Sequence, residues 1–202
     1  MGLGTYGGNA TFAHISFKDG VIYVGPKASR KEYNFITGVP VGFKIKEDEY
    51  EGEAVFQAQL TLNDPKTNER YIVTFNAHSY KGGNIIGALN NWVENCVEGS
   101  EIRFNAWKFE KGTKMSNGTS AEKDITGVSV KCGRETLTPQ FSDGSNKLPE
   151  ANRVKIGKKE VLDMSAVIPV IEDTCAALEA YFSDAETDET GGTSVSDDDI
   201  PF

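Results

Sequence analysis

The chain has 202 residues, of which 38% are hydrophobic and 25% charged, and this composition excludes a wholly disordered protein. Its formal net charge is -9, but the charge is uneven, because 11 of the 30 acidic residues lie between 163 and 202 and no Lys or Arg follows Lys159. The three scattered cysteines, with no signal peptide and no apolar run long enough for a membrane span, indicate a reduced, cytoplasmic protein.

The first predicted elements are β-strands. An N-terminal ribbon is expected over residues 10–36, where ATFAHISF and GVIYVG flank a turn at Lys18, Asp19 and Gly20. VGFKIK then alternates Val41, Phe43 and Ile45, expected to be buried, with a cationic face. AVFQAQLTL and RYIVTFNA, separated by the turn residues of NDPKTN, predict a hairpin.

The hydrophobic period then changes to that of a helix. In GGNIIGALNNWVENCVEG, Ile85, Leu89 and Trp92 recur at helical spacing, with Asn84 as the expected N-cap and Gly99 as the expected stop. Two strands follow, EIRFNAWKF and ITGVSVKC, and residues 134–160 show no regular pattern beyond one short helix at most.

A second helix is predicted in IPVIEDTCAALEAYF. Its apolar positions Ile171, Cys175, Leu178 and Phe182 are spaced so that one face can dock on the body of the protein. From residue 183 onward the sequence is polar, acidic and aperiodic, which predicts a disordered tail over 183–202.

The order of elements predicts the fold class. Three strands, a helix and two further strands are the succession found in the five-stranded OB-fold barrel. We therefore expect a mainly β protein: an OB-fold domain over residues 1–182 with an N-terminal β-ribbon and a C-terminal helix, followed by the acidic tail over 183–202.

The polar faces of the strands suggest a nucleic-acid surface. In EIRFNAWKF, Arg103, Trp107 and Phe109 fall on the side opposite Ile102 and Phe104, and exposed rings beside cations suit the stacking of unpaired bases. The alternative is that Trp107 and Phe109 lie beneath the N-terminal ribbon or the C-terminal helix. The predicted nucleic-acid contacts are Lys27, Arg30, Lys31, Tyr33, Lys44, Lys46, Tyr80, Lys81, Arg103, Trp107, Phe109, Lys111 and Lys114.

One segment opposes this interpretation, and enzymatic classes find little support. EDEYEGE places five acidic residues in the expected loop between the first two barrel strands, where they would repel phosphate. The chain has only two histidines and no cluster typical of a catalytic or metal site, so we expect a protein that is not an enzyme and needs no metal or cofactor. The glycine pattern of GLGTYG lacks the strand and helix that a dinucleotide site requires.

The C-terminal DDDIPF resembles the tail tip of the bacterial single-stranded DNA-binding protein (SSB) family. The matching positions are Asp197, Asp198, Asp199, Ile200, Pro201 and Phe202. The resemblance implies an OB-fold body that coats single-stranded DNA in replication, recombination and repair, and a tip that recruits proteins of those processes. The body lacks an obvious match to ordinary bacterial SSBs, which suggests a bacteriophage protein acting in the host cytoplasm and leaves homo-oligomerisation open.

A second hypothesis keeps the tip but changes the role of the body. In that case the protein is an adaptor whose body binds another protein, while DDDIPF recruits a replication or repair factor. The two hypotheses differ in whether the body binds single-stranded DNA.

Overall fold

The architecture was obtained as a computed structural model, which describes residues 10–25, 28–50, 53–115, 118–156 and 159–189. This part of the chain is mainly β, with two helices. The elements are β1 Thr11–Ser16, β2 Val21–Val24, β3 Lys31–Tyr33, β4 Phe35–Tyr50, β5 Glu53–Asn63, β6 Arg70–Asn76, α1 Tyr80–Asn95, β7 Ile102–Phe109, β8 Ile125–Cys132, β9 Glu135–Thr136, β10 Asn152–Ile156, β11 Lys159–Asp163 and α2 Ile168–Glu189.

Nine of the strands form one mixed sheet. Its order is β3-β2-β1-β6-β5-β4-β7-β8-β9, and every pair is antiparallel except β1 and β6, which are parallel. Strand β4 pairs with β7 through Phe35–Gly38 and then with β5 from Val39 to Tyr50. The predicted ribbon is confirmed as β1 and β2, and the predicted succession of three strands, a helix and two strands is confirmed as β4, β5, β6, α1, β7 and β8.

The predicted closed barrel is not seen in the described residues. Its five strands would close if β8 paired with β6, but the edge of β6 is taken by β1, with Ala13 opposite Val73. The turn after β1 also bridges to β8, since Thr126 Oγ1 donates to Phe17 O and Lys81 Nζ donates to the same carbonyl at 3.2 Å. The N-terminal ribbon therefore occupies the gap that the barrel would have closed.

The core lies between the inner face of the sheet and the two helices. The predicted apolar face of α2 is confirmed, because Ile171, Cys175, Leu178 and Phe182 are all buried. The Phe182 ring lies parallel to the buried Trp92 ring of α1, with centroids 6.4 Å apart. Neither helix, within the part of the chain that is described, is long and apolar enough to cross a membrane.

Helix α1 begins earlier than predicted. Ser79, not Asn84, is the N-cap, and its Oγ accepts a hydrogen bond from Gly82 N at 2.9 Å. Gly82 is required there because a Cβ at that position would lie 1.9 Å from Asn76 O. The helix ends at Asn95 rather than near Gly99. It begins at Tyr80, so Tyr80 and Lys81 belong to its first turn.

Helix α2 covers an edge of β4 and runs past the predicted boundary at residue 182. The Glu179 carboxylate accepts a hydrogen bond of 2.6 Å from Ile45 N, which satisfies a donor on the edge of β4 that β5 does not pair. The helix continues to Glu189. The rest of the predicted tail, including the tip Asp197–Phe202, lies outside the described residues.

Two further segments differ from expectation. Residues 134–160, expected to be irregular, contain β9 and most of a separate two-stranded sheet of β10 and β11. The acidic segment EDEYEGE is not simply a loop, because β4 extends to Tyr50 and β5 begins at Glu53. Glu47, Asp48 and Glu49 therefore belong to a long strand pair.

His78 joins this strand pair to α2, and its protonation is expected to make the stability of the fold depend on pH. Its ring stacks on Phe56 at 4.0 Å, and Nε2 lies 3.2 Å from Glu172 Oε1. Burial lowers the pKa of His78 below its ordinary value of 6.5. The neighbouring Glu172 carboxylate raises the pKa, but by less than burial lowers it. The folded chain thus binds this proton less readily than the unfolded chain, so stability is lost as the pH falls through 6.5.

We expect the thermal midpoint to fall between about pH 7.5 and about pH 5.5, and to fall less in a His78→Gln variant, which does not titrate there. Thermal unfolding followed by circular dichroism at the two pH values measures both changes. An equal fall in the two proteins would contradict a role for His78.

Candidate nucleic-acid interface

Strand β7 presents the predicted aromatic residues on the outer face of the sheet. Ile102, Phe104 and Ala106 are buried, as the alternation predicts. On the other side, Trp107 is 36% and Phe109 is 41% exposed. Both rings therefore remain partly accessible to solvent.

Phe35, which is not among the predicted contacts, also lies on this face. Phe35 lies opposite Asn105 of β7 and is 50% exposed. The Arg103 guanidinium lies over the Phe35 ring, 3.8 Å from its centroid. The pair offers a cation and an aromatic face at one point of the sheet.

A bulge in β4 determines the side of the sheet on which Phe35 lies. The pairing with β5 shifts between Pro40 and Gly42, so the residues that face outward change from odd to even numbers. Extending the alternation of VGFKIK backwards would bury Phe35, whereas the structure buries Ile36 and exposes Val41. The same shift places Lys44 and Lys46 on the side of the sheet that carries Phe35.

We call this surface the aromatic face. Its residues are Phe35, Lys44, Lys46, Arg103, Trp107 and Phe109. Lys44 and Lys46 lie opposite Gln59 and Gln57 of β5, which continue the same outer side with polar side chains. The face therefore combines rings that can stack with cations and amides that can meet a charged, polar chain.

The rings of Trp107 and Phe109 pack against each other, and the Trp107 indole lies on Gly127. Their ring centroids are 5.0 Å apart with the planes inclined by 38°. Gly127 of β8 lies opposite Trp107, and a Cβ added there would come within 2.1 Å of Trp107 Cζ2. The indole thus lies directly on the backbone of β8, which fixes its position.

Replacing Gly127 by Ala should therefore displace the indole and, if the aromatic face binds bases, weaken oligo(dT) binding roughly fivefold or more. Gly42→Ala is the matched control, because its added Cβ would lie 3.5 Å from the nearest side-chain atom. Anisotropy of a labelled oligonucleotide measures the affinity, and Trp emission reports the displacement. An unchanged affinity with a shifted emission would argue against stacking on Trp107.

The loop between β7 and β8 is tied to the end of the aromatic face. Asp124 accepts a 3.0 Å hydrogen bond from Lys111 N and lies 3.0 Å from Lys108 Nζ. These two contacts hold the pKa of Asp124 below its ordinary value. Lys111 and Lys114 are exposed on this loop, so their ammonium groups can approach a ligand lying on β7.

Other predicted contacts lie on β3 and on the segment that precedes it. Arg30 lies over the Tyr23 ring, 3.7 Å from its centroid, while Lys31 and Tyr33 are exposed on β3. Only Asn34 separates β3 from β4, and its carbonyl accepts a hydrogen bond from Ala106 N at 2.8 Å. This second cluster therefore adjoins the aromatic face. Lys27 lies outside the described residues.

The two predicted contacts on α1, Tyr80 and Lys81, are not part of the aromatic face. Lys81 Nζ donates to Thr126 Oγ1 at 2.7 Å and to Phe17 O at 3.2 Å, and burial lowers its pKa. Its ammonium therefore ties the β1–β2 turn to β8. Tyr80 is exposed at the start of α1 and lines a cleft of about 510 Å³ between α1 and β8.

No family model, curated protein or solved structure matches the chain. Within the described ranges, no three His, Cys, Asp or Glu side chains are grouped so that they could hold a metal ion. The features that bear on function are therefore the geometry of the aromatic face and the sequence of the tail.

Proposed function

We propose that the protein binds single-stranded DNA with little regard to its sequence and coats it during replication, recombination or repair. The observation that carries this proposal is the aromatic face, where Phe35, Trp107 and Phe109 are exposed around Arg103. Every base has a ring face and every nucleotide carries a phosphate, so exposed rings beside cations suit unpaired strands of any sequence.

The rings and the cations have different roles in this proposal. Bases stack on Trp107 and Phe109 and on the Arg103–Phe35 pair, each stacked base contributing about 1–3 kcal/mol. Lys44, Lys46, Lys111 and Lys114 neutralise phosphates and supply the salt-dependent part of the affinity. The acidic strand pair at Glu47–Glu49 repels the backbone, so the DNA is expected to leave the sheet before reaching it.

The connectivity supports an OB-fold relationship for the body. As in the predicted OB-fold, a helix joins the third and fourth strands of the succession from β4 to β8. Strand β4 pairs with both β5 and β7, so one long strand joins the strands that precede α1 to those that follow it. We take the body to be an OB-fold variant in which β1 occupies the edge of β6.

The proposal also assigns a recruiting role to the tip Asp197–Phe202. The support for this role is the sequence of the tip alone. Its resemblance to the SSB tail implies that it recruits host replication, recombination or repair proteins. The aromatic side chain of Phe202 suits an apolar pocket, and the three aspartates favour the approach to a basic surface.

A titration with oligo(dT) at two salt concentrations tests the DNA-binding role. The chain has two tryptophans, and Trp92 is only 3% exposed, so quenching by the oligonucleotide reports on Trp107. We expect quenching at low salt and an affinity that falls as salt rises. Absence of binding at low salt would overturn the proposal and favour the adaptor hypothesis.

A further inference from the structure

The β10–β11 hairpin stands apart from the main sheet. It is a two-stranded sheet of its own, in which Val154 pairs with Val161 and Arg153 with Leu162. Val154, Val161 and Leu162 are 38%, 44% and 51% exposed. A two-stranded ribbon with exposed aliphatic side chains is only marginally stable alone and is an available surface for another chain.

The charge of this hairpin is mainly positive. Arg153 and Lys155 lie on β10 and Lys159 begins β11, while the acidic residues of β11 are Glu160 and Asp163, the latter at the end of the strand. Arg153 Nη1 lies 3.5 Å from Glu160 Oε2, and both side chains are largely exposed. Lys155 is exposed on the same face of β10 as Arg153.

The opposite charge is concentrated at the end of the β4–β5 strand pair. Strand β6 pairs with β5 only as far as Gln57, so the pairs from Glu47–Phe56 to Tyr50–Glu53 extend beyond it. This extension carries Glu47, Asp48, Glu49 and Glu53, and no Lys or Arg occurs in residues 47–56. Ala54 and Val55 add small apolar side chains to the same ribbon.

We propose that the β10–β11 hairpin of one copy of this chain docks on the acidic extension of the β4–β5 pair of a second copy. The two ribbons have complementary charges, and each has an edge that no described strand pairs. In the described residues, neither β10 nor β11 packs extensively on any element but its partner strand, so the hairpin is available to another molecule.

This contact is head to tail, because it joins two different surfaces. Such contacts continue from copy to copy unless the rotation between copies closes a ring. If the body coats single-stranded DNA as proposed above, the contact places successive copies along the strand and makes binding cooperative. A basic hairpin could instead be a DNA contact, but its exposed apolar residues are aliphatic and offer no ring on which a base can stack.

The test measures association of the full chain without DNA, so its outcome does not depend on the DNA-binding role. In sedimentation equilibrium at about 50 mM salt, we expect the average mass to rise above the 22.0 kDa of the single chain as concentration increases, and less so at higher salt. Reversing the basic ribbon with Arg153→Glu and Lys155→Glu should weaken association about tenfold or more, and so should reversing the acidic ribbon with Glu47→Lys, Asp48→Lys, Glu49→Lys and Glu53→Lys.

Mixing the two reversed variants provides the decisive measurement. In the basic-ribbon variant both ribbons are acidic, and in the acidic-ribbon variant both are basic. We therefore expect the mixture of the two variants to associate, although neither variant associates alone. The control Lys66→Glu with Arg134→Glu makes the same change in net charge as the basic-ribbon variant at two exposed positions outside both ribbons, and should associate like the parent.

Three results would overturn the proposal. One is a chain that stays monomeric at every concentration at low salt. Another is a mixture that associates no better than its components, which would mean that the hairpin meets a different acidic segment, such as residues 190–202. The last is a basic-ribbon variant that associates normally but loses affinity for a short oligonucleotide, which would make the hairpin a DNA contact.

Discussion

Replacing Trp107 by Ala should weaken binding of oligo(dT) roughly 5- to 150-fold, because stacking of one base on an aromatic side chain contributes about 1–3 kcal/mol. The effect is expected to be large for two reasons. The indole is fixed in position by the Gly127 backbone beneath it, and its loss also removes the ring neighbour of Phe109. Fluorescence anisotropy of a labelled oligonucleotide measures the change, since the variant itself lacks the reporting tryptophan.

The conservative variant Trp107→Phe is the matched control. It keeps a ring at the same place on β7, so it should retain most of the affinity that Trp107→Ala loses. The salt dependence should stay the same in both variants because no cation is removed. An affinity unchanged in Trp107→Ala would place the DNA elsewhere on the protein.

Replacing Leu178 by Ala should destabilise the fold by about 2–5 kcal/mol. Leu178 is only 1% exposed, on the face of α2 that packs against the body, and truncating it leaves a cavity that its neighbours fill only in part. Urea unfolding followed by the fluorescence of Trp92 measures the loss, because this ring lies against Phe182 of the same helix.

Ala177→Ser is the control for the Leu178 variant. Ala177 is exposed on α2, so the change should alter stability by less than about 0.5 kcal/mol. The folded Leu178→Ala protein should still bind oligo(dT), since Leu178 lies in the core and not on the aromatic face. A loss of stability as small as that of the control would mean that α2 does not support the body in solution.

The sequence predicted those parts of the structure whose cause is local periodicity. On β7, the alternation separates buried Phe104 from exposed Trp107, because successive side chains of a strand point to opposite faces. On α2, Ile171 and Leu178 are buried because residues at helical spacing share one face. The central part of the candidate interface could therefore be predicted from one strand.

The remainder depends on pairings between distant residues, which periodicity does not encode. The bulge near Pro40 reverses the faces of β4, and it brought Phe35 and the two lysines of that strand to the same side. The parallel pairing of β1 with β6 replaced the expected closure of a barrel. Ser79 was missed as the N-cap because the apolar pattern of α1 begins at Ile85, well after the helix has started.

The parallel pairing of β1 with β6 also bears on how the protein is made. His14 meets Thr74 across 60 residues of sequence, so a ribosome translating at about 5–20 residues per second completes the partner strand roughly 3–12 seconds after β1. Until then, Ala13 and Ile15 of the nascent chain can pair only with β2, and the β1–β2 hairpin has no core against which to bury them. Chaperones that act early in translation are therefore expected to protect this hairpin, and folding should be slow compared with that of helical proteins of similar size.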